Sequence, residues 1–132
     1  MNFQDHIDQL ISQAKDDYGA AEALASATYF GHALFWAHLS LEKYCKALWV
    51  YKNQNTNYPY IHNLLRLLKE SGEELNENQI QFYSAMNQFQ SQGRYIDALQ
   101  KMEATVTKDI CYDYLDNSKT QLEWILNLMQ KK

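Results

Sequence analysis

The chain is poor in the residues that interrupt helices, because its 132 residues include one proline and four glycines. No segment alternates apolar and polar residues with the period of a strand. Apolar residues recur instead at spacings of three and four along most of the sequence. We therefore predict an all-α protein with short connections, folded as an up-and-down bundle of four to five antiparallel helices. Its length favours a single domain over residues 1–132.

Other shortages exclude classes of function. No apolar run approaches the roughly 20 residues that a bilayer span requires. The first residues lack a basic segment followed by an apolar one, so we expect a cytoplasmic protein with no membrane partner. Cys45 and Cys111 are isolated, which predicts reduced packing residues; we expect no metal and no cofactor. A formal net charge of -4 argues against broad, charge-driven binding of nucleic acid, although local basic patches are compatible with it; the chain has only two arginines, Arg66 and Arg94.

The apolar spacing places the helices and the breaks between them. It predicts helices from about Phe3 to Ala25, Tyr29 to Lys52, Ile61 to Glu70, after Leu75 to Gly93, and from Thr107 onward. Periodicity alone also allows one continuous helix through Ser26 and Thr28, but these capping residues favour a break. Gly72 is expected to cap a helix in the left-handed conformation. Residues 94–106 are expected to be irregular or weakly helical.

The helix around residues 33–48 carries two different faces. One face is apolar and should pack in the core; it consists of Ala33, Ala37, Leu41, Tyr44 and Leu48. His38, Glu42 and Lys46 form a polar ridge, which we interpret as the surface that touches another molecule, either an anion or a dimer partner. The alternative is an ordinary helix-stabilising Glu–Lys pair. Ten tyrosines and three tryptophans also indicate surface buried against a partner, and a homodimer is expected.

Three short motifs follow one another along the chain, and their order and spacing carry a family resemblance. They are Ala37 to Leu48, with Glu42-Lys43 and Lys46-Ala47; Tyr60-Ile61-His62-Asn63-Leu64; and Gly93-Arg94-Tyr95-Ile96-Asp97. Together, with Trp124 near the end of the last helix, they resemble the HEPN domain over roughly residues 8 to 128. The resemblance implies a compact helical bundle that usually dimerises.

One group within that family consists of ribonuclease toxins, in which an Arg and a His separated by four to six residues cleave RNA without a metal. In this sequence the positions after Arg66 that would hold the His are Ser71, Gly72 and Glu73. After Arg94 they are Leu99, Gln100 and Lys101. The missing pair predicts that the chain is not an enzyme of this type.

A second group resembles the C-terminal domain of kanamycin nucleotidyltransferase and pairs with a separate minimal nucleotidyltransferase. The resemblance implies an accessory module that binds a nucleotide or RNA phosphate through Lys43, Lys46, His62, Arg94 and Tyr95, supported by His38, Glu42 and Asp97. Ile96 departs from the proline usually found after Arg-Tyr. Two alternatives stay open: a ribonuclease with a non-standard site, and a purely structural interaction protein. His62 and Arg94 also have structural alternatives, as a helix cap and as a bridge to Asp97 or Glu42.

Overall fold

The structure is a computed structural model that describes residues 2–92 and 95–130. Within these residues the chain forms six α-helices and no strand, which confirms the all-α prediction. In order they are α1 (Phe3–Ser26), α2 (Phe30–Asn53), α3 (Leu64–Glu70), α4 (Glu77–Gln92), α5 (Ile96–Thr105) and α6 (Lys108–Gln130). The number exceeds the predicted four to five because α5 forms where irregular or weakly helical chain was expected. No helix in the described ranges combines the length and apolarity needed to cross a bilayer.

The first two helices form an antiparallel hairpin around a sharp break. Thr28 adopts a left-handed backbone with φ 71°, and it is followed by Tyr29, the residue that precedes α2. The predicted break is therefore confirmed. Small residues let α1 and α2 approach closely, and Ser40 Oγ donates to the carbonyl of Ala14 at 2.7 Å. The hairpin is the most extensive helix contact in the described fold.

Helix α2 lies at the centre and contacts each of the other five helices. Its predicted core face is confirmed, since Ala33, Ala37, Leu41 and Leu48 have no exposed surface and Tyr44 is nearly buried. The polar ridge is also buried, contrary to our interpretation of it as an outer surface. The chain from α2 to α3, together with α4, covers it.

The remaining helices begin and end largely at the predicted residues. Gly72, with φ 83°, follows α3 in the expected left-handed conformation. Thr107 Oγ1 accepts from the Ile110 N–H at 3.2 Å and opens α6. Helix α3 begins at Leu64 and not at Ile61, because the Asn63 side chain accepts from the Arg66 N–H and caps it. His62 consequently lies before the helix. The predicted cap at Gly93 lies outside the described residues.

Candidate functional site

Glu42 is the centre of a buried polar cluster on α2. Its Oε2 accepts from Lys46 Nζ at 2.8 Å, and its Oε1 lies 2.8 Å from His62 Nδ1. His38 Nδ1 is 3.9 Å from the same Oε1. Burial alone would raise the pKa of Glu42, but the hydrogen bonds from Lys46 and His62 outweigh it and lower that pKa below its ordinary value. Glu42 is thus an ionised carboxylate at neutral pH.

Asn87 of α4 joins this cluster to the start of α3. Its Oδ1 accepts from the Leu64 N–H at 2.9 Å and lies 3.4 Å from His38 Nε2. Its Nδ2 donates to Asn63 Oδ1 at 3.0 Å. Burial lowers the pKa of His38 to about 4, against the opposing effect of Glu42, so this imidazole is neutral at pH 7. His38 therefore serves as a buried polar contact between α2 and α4.

The two lysines predicted to bind phosphate are already paired with carboxylates. Lys46 is only 7% exposed, and its Nζ lies 5.2 Å from the centroid of the Tyr58 ring as well as beside Glu42. Lys43 Nζ lies 2.7 Å from Asp17 Oδ2 on α1. The structure therefore brings Lys46 and His62 together on one carboxylate but uses Lys43 elsewhere, to join α2 to α1. The charge of each lysine is balanced within the protein, that of Lys46 by Glu42 on the same helix and that of Lys43 by Asp17 on α1.

The surface of the cluster is a small depression lined by His62, Asn63, Asn87 and Gln90. The His62 side chain is 45% exposed, so the imidazole bridges the buried carboxylate and the solvent. Gln90 is 6% exposed, and its Nε2 has no hydrogen-bond partner among the described residues. Sequence reasoning missed Asn87 and Gln90, because nothing in the local pattern of α4 marks them. Only the tertiary structure, which places Asn87 and Gln90 near His38 and His62, marks them as part of the site.

Only part of the third predicted motif lies in the described part of the chain. Arg94 lies outside the described residues. Tyr95 precedes α5 and Asp97 lies in its first turn, and both are exposed. Among the described residues, no hydrogen bond or ion pair joins Tyr95 or Asp97 to Glu42.

The cysteines and acidic residues offer no metal centre in the part of the chain that the structure describes. No group of three or more His, Cys, Asp or Glu side chains there is placed to hold a metal ion. Cys45 and Cys111 are free and buried in the core. Burial raises the pKa of Cys45 well above its usual value and that of Cys111 to about 11, so both are protonated thiols at neutral pH.

A family model for the HEPN domain matches residues 7–129. The chain belongs to the HEPN family. This confirms the resemblance carried by the three motifs. No curated protein and no solved structure matches the chain. In this HEPN domain, the charged residues of the second-helix motif have internal partners: Glu42 and Lys46 pair with each other, and Lys43 pairs with α1.

Proposed function

We propose that this HEPN domain is a non-catalytic, dimeric module that binds the phosphate of a nucleotide beside His62. In this proposal it forms one domain over residues 1–132 and acts as the accessory partner of a minimal nucleotidyltransferase, like the group that resembles the kanamycin nucleotidyltransferase C-terminal domain. One observation carries the proposal. His62 is held at Nδ1 by Glu42 and stands at the rim of a depression whose other lining residues are carboxamides.

The chemistry of the depression suits an anionic oxygen. The ionised Glu42 carboxylate accepts from Nδ1 of His62 and fixes the orientation of the imidazole at the rim of the depression. The amide nitrogens of Asn63, Asn87 and Gln90 are further potential donors. Lys46 stays in the proposal as a positioning residue, because it holds Glu42 in place under His62.

Arg94 supplies positive charge in this proposal. It follows Gln90 by four positions in the sequence and belongs to the Arg-Tyr motif that resembles that of the HEPN domain. A guanidinium forks onto phosphate oxygens with two parallel hydrogen bonds, which an ammonium cannot do. In this proposal His62 and Arg94 contact the phosphate. Tyr95 of the same motif adds a contact to the ligand, and Asp97 supports the site.

The absence of catalysis is proposed from the sequence. Neither arginine is followed, at the spacing of the ribonuclease toxins, by a histidine that would act as acid or base. The proposal therefore expects binding without cleavage.

One observation favours a second candidate, a metal-independent ribonuclease with a non-standard site. A carboxylate bound to one imidazole nitrogen, as Glu42 is to His62 Nδ1, orients the ring in the manner of a general base. Incubation of the purified protein with single-stranded RNA separates the candidates. Cleavage that is lost in His62→Ala would establish the enzyme and contradict our proposal.

Calorimetric titration of the full chain with adenosine monophosphate tests binding. We expect saturable binding that His62→Ala and Arg94→Ala each weaken by about tenfold, as for the loss of a charged hydrogen bond. Arg66→Ala is the matched control, because Arg66 is an exposed arginine that pairs with Glu70 on α3. Absence of binding to the wild type, or equal loss in the control, would refute the proposed ligand.

The partner and dimer components have separate tests. We expect light scattering to give twice the monomer mass of 15.5 kDa. Co-expression with a minimal nucleotidyltransferase should give a complex that survives size-exclusion chromatography. A monomer that forms no complex would contradict this part of the proposal and leave the binding result unaffected.

A further inference from the structure

The chain between α2 and α3 carries an aromatic side chain that is not buried in the core. Tyr60 is 92% exposed, whereas Tyr58 two residues earlier is partly buried under Lys46. The two ring centroids are 6.0 Å apart and the ring planes meet at 56°. Pro59 between them restricts the backbone and hence the separation of the rings. One ring is thus anchored and supports a second ring that is open to solvent.

A depression with mixed polar groups lies against these rings. It is lined by His6, Thr56, Asn57, Tyr58 and Tyr60. Imidazole, hydroxyl and carboxamide groups supply both donors and acceptors around an aromatic wall. A nucleobase has the matching features, namely a flat π-face and an edge with donors and acceptors. Base–aromatic stacking accepts any of the bases.

A chain of side-chain contacts links this aromatic pair to the depression beside His62. Tyr58 contacts Lys46, Lys46 pairs with Glu42, and Glu42 binds His62. The Tyr58–Tyr60 pair and the imidazole are therefore linked through Lys46 and the Glu42 carboxylate. Tyr60 and His62 are two residues apart in sequence. The two features match the chemistry of the two ends of a ligand that carries a base and a phosphate.

We infer that Tyr60, supported by Tyr58, is the base-stacking surface of a nucleotide site whose phosphate lies beside His62. This inference rests on the nucleotide binding proposed above and adds the position of the base. A partner protein that covers Tyr60 is the competing occupant. It is disfavoured because the surrounding depression is polar and the exposed aromatic surface is a single ring.

The test compares probes that share a phosphate and differ in the base. Calorimetric titrations of the full chain use adenosine monophosphate, adenosine and ribose 5-phosphate. We expect adenosine monophosphate to bind more tightly than ribose 5-phosphate. Tyr60→Ala should weaken the former by roughly 5- to 100-fold, as for the loss of one base stack, and leave the latter unchanged. Tyr60→Phe and Tyr60→Trp should retain tight binding, because they keep an aromatic face.

The controls separate this inference from the proposed function. Tyr60→Ala will fold, because the side chain is almost fully exposed, and Tyr29→Ala removes another exposed tyrosine far along the sequence. Equal binding of adenosine monophosphate and ribose 5-phosphate would overturn the base site and leave the phosphate site intact. Binding of adenosine that depends on Tyr60, with no binding of ribose 5-phosphate, would support the base site and refute the phosphate site. A loss in Tyr29→Ala equal to that in Tyr60→Ala would also overturn the inference.

Discussion

Two ion pairs in this HEPN domain have the same local geometry and different surroundings. Glu42–Lys46 on α2 and Arg66–Glu70 on α3 are both spaced four residues apart, and in each the nitrogen and oxygen are 2.8 Å apart. The side chains of the first pair are 8% and 9% exposed, and those of the second are 61% and 36% exposed. The first pair also holds His62. Because solvent screens exposed charges, burial and not sequence spacing sets how strongly the loss of one partner of such a pair affects stability.

The largest expected effect comes from breaking the buried pair. Glu42→Ala leaves the Lys46 ammonium buried without a carboxylate, and we expect the free energy of unfolding to fall by about 3–5 kcal/mol. Urea denaturation followed by circular dichroism measures this change. The double variant Glu42→Leu with Lys46→Met removes both charges and should recover most of the loss. A loss below about 1 kcal/mol in the single variant would place the buried pair in the same class as an exposed one.

Acid should weaken the buried cluster in a defined pH window. The unfolded chain protonates His38 near pH 6.5, whereas folding lowers its pKa to about 4, so the free energy of unfolding decreases as the pH falls between these values. The difference amounts to roughly 3 kcal/mol. Glu42, with a lowered folded-state pKa, adds a loss as the pH falls further, below its ordinary value of 4.5.

Urea melts between pH 7 and pH 4 measure this dependence, and His38→Gln is the matched variant because its carboxamide keeps a hydrogen-bonding side chain that does not titrate. Its stability should change less with pH in the range 6.5 to 4. An unchanged slope in His38→Gln would show that His38 is not the titrating group.

Two helical glycines extend the comparison to backbone contacts. A Cβ added at Gly31 would lie 2.8 Å from Glu103 Oε2 and 3.0 Å from the Glu103 backbone nitrogen, because α5 packs closely on the start of α2. We expect Gly31→Ala to cost about 1–3 kcal/mol. A Cβ at Gly19 meets nothing within 4 Å, so Gly19→Ala should stabilise α1 by about 0.5–1 kcal/mol. Thermal unfolding compares the two, and effects of the same sign would contradict the close packing of α5.

The smallest effect is expected at the exposed pair. Arg66→Ala removes a side chain that is largely in solvent, and we expect the free energy of unfolding to change by less than about 0.5 kcal/mol. Urea denaturation in low and high salt checks this value, since screening should shrink it further. A cost approaching that of Glu42→Ala would remove the contrast between the two pairs.

Most helix positions were predictable because their causes are local. The apolar spacing located α1, α2 and α6, and the capping residues Gly72 and Thr107 act through groups within a few residues of themselves. Helix α5 was expected only as irregular or weakly helical chain, because its support is distant in sequence. Glu103 accepts from the His32 N–H at 2.6 Å and lies 2.8 Å from His32 Nδ1, so it joins α5 to the start of α2. No window around residue 103 contains that partner.

The candidate site was predictable only in part. The motifs pointed to Glu42, Lys46 and His62, which the structure brings together, and to Lys43, which pairs with Asp17 instead. Asn87 and Gln90 had no local signal, because a carboxamide on a helix is ordinary until its neighbours are known. The expected exposure of the polar ridge was wrong for the same reason.

The sequence alone determined the helical class, most helix boundaries and the membership of the HEPN family, since these depend on periodicity, capping and short motifs. The tertiary structure decided which polar residues are buried, which charges are paired and where an aromatic ring is left open to solvent. The reason is physical. Desolvation and ion pairing depend on atoms brought close by the return of the chain, such as His62 onto Glu42 twenty residues earlier, and the helical period records only which way each residue faces.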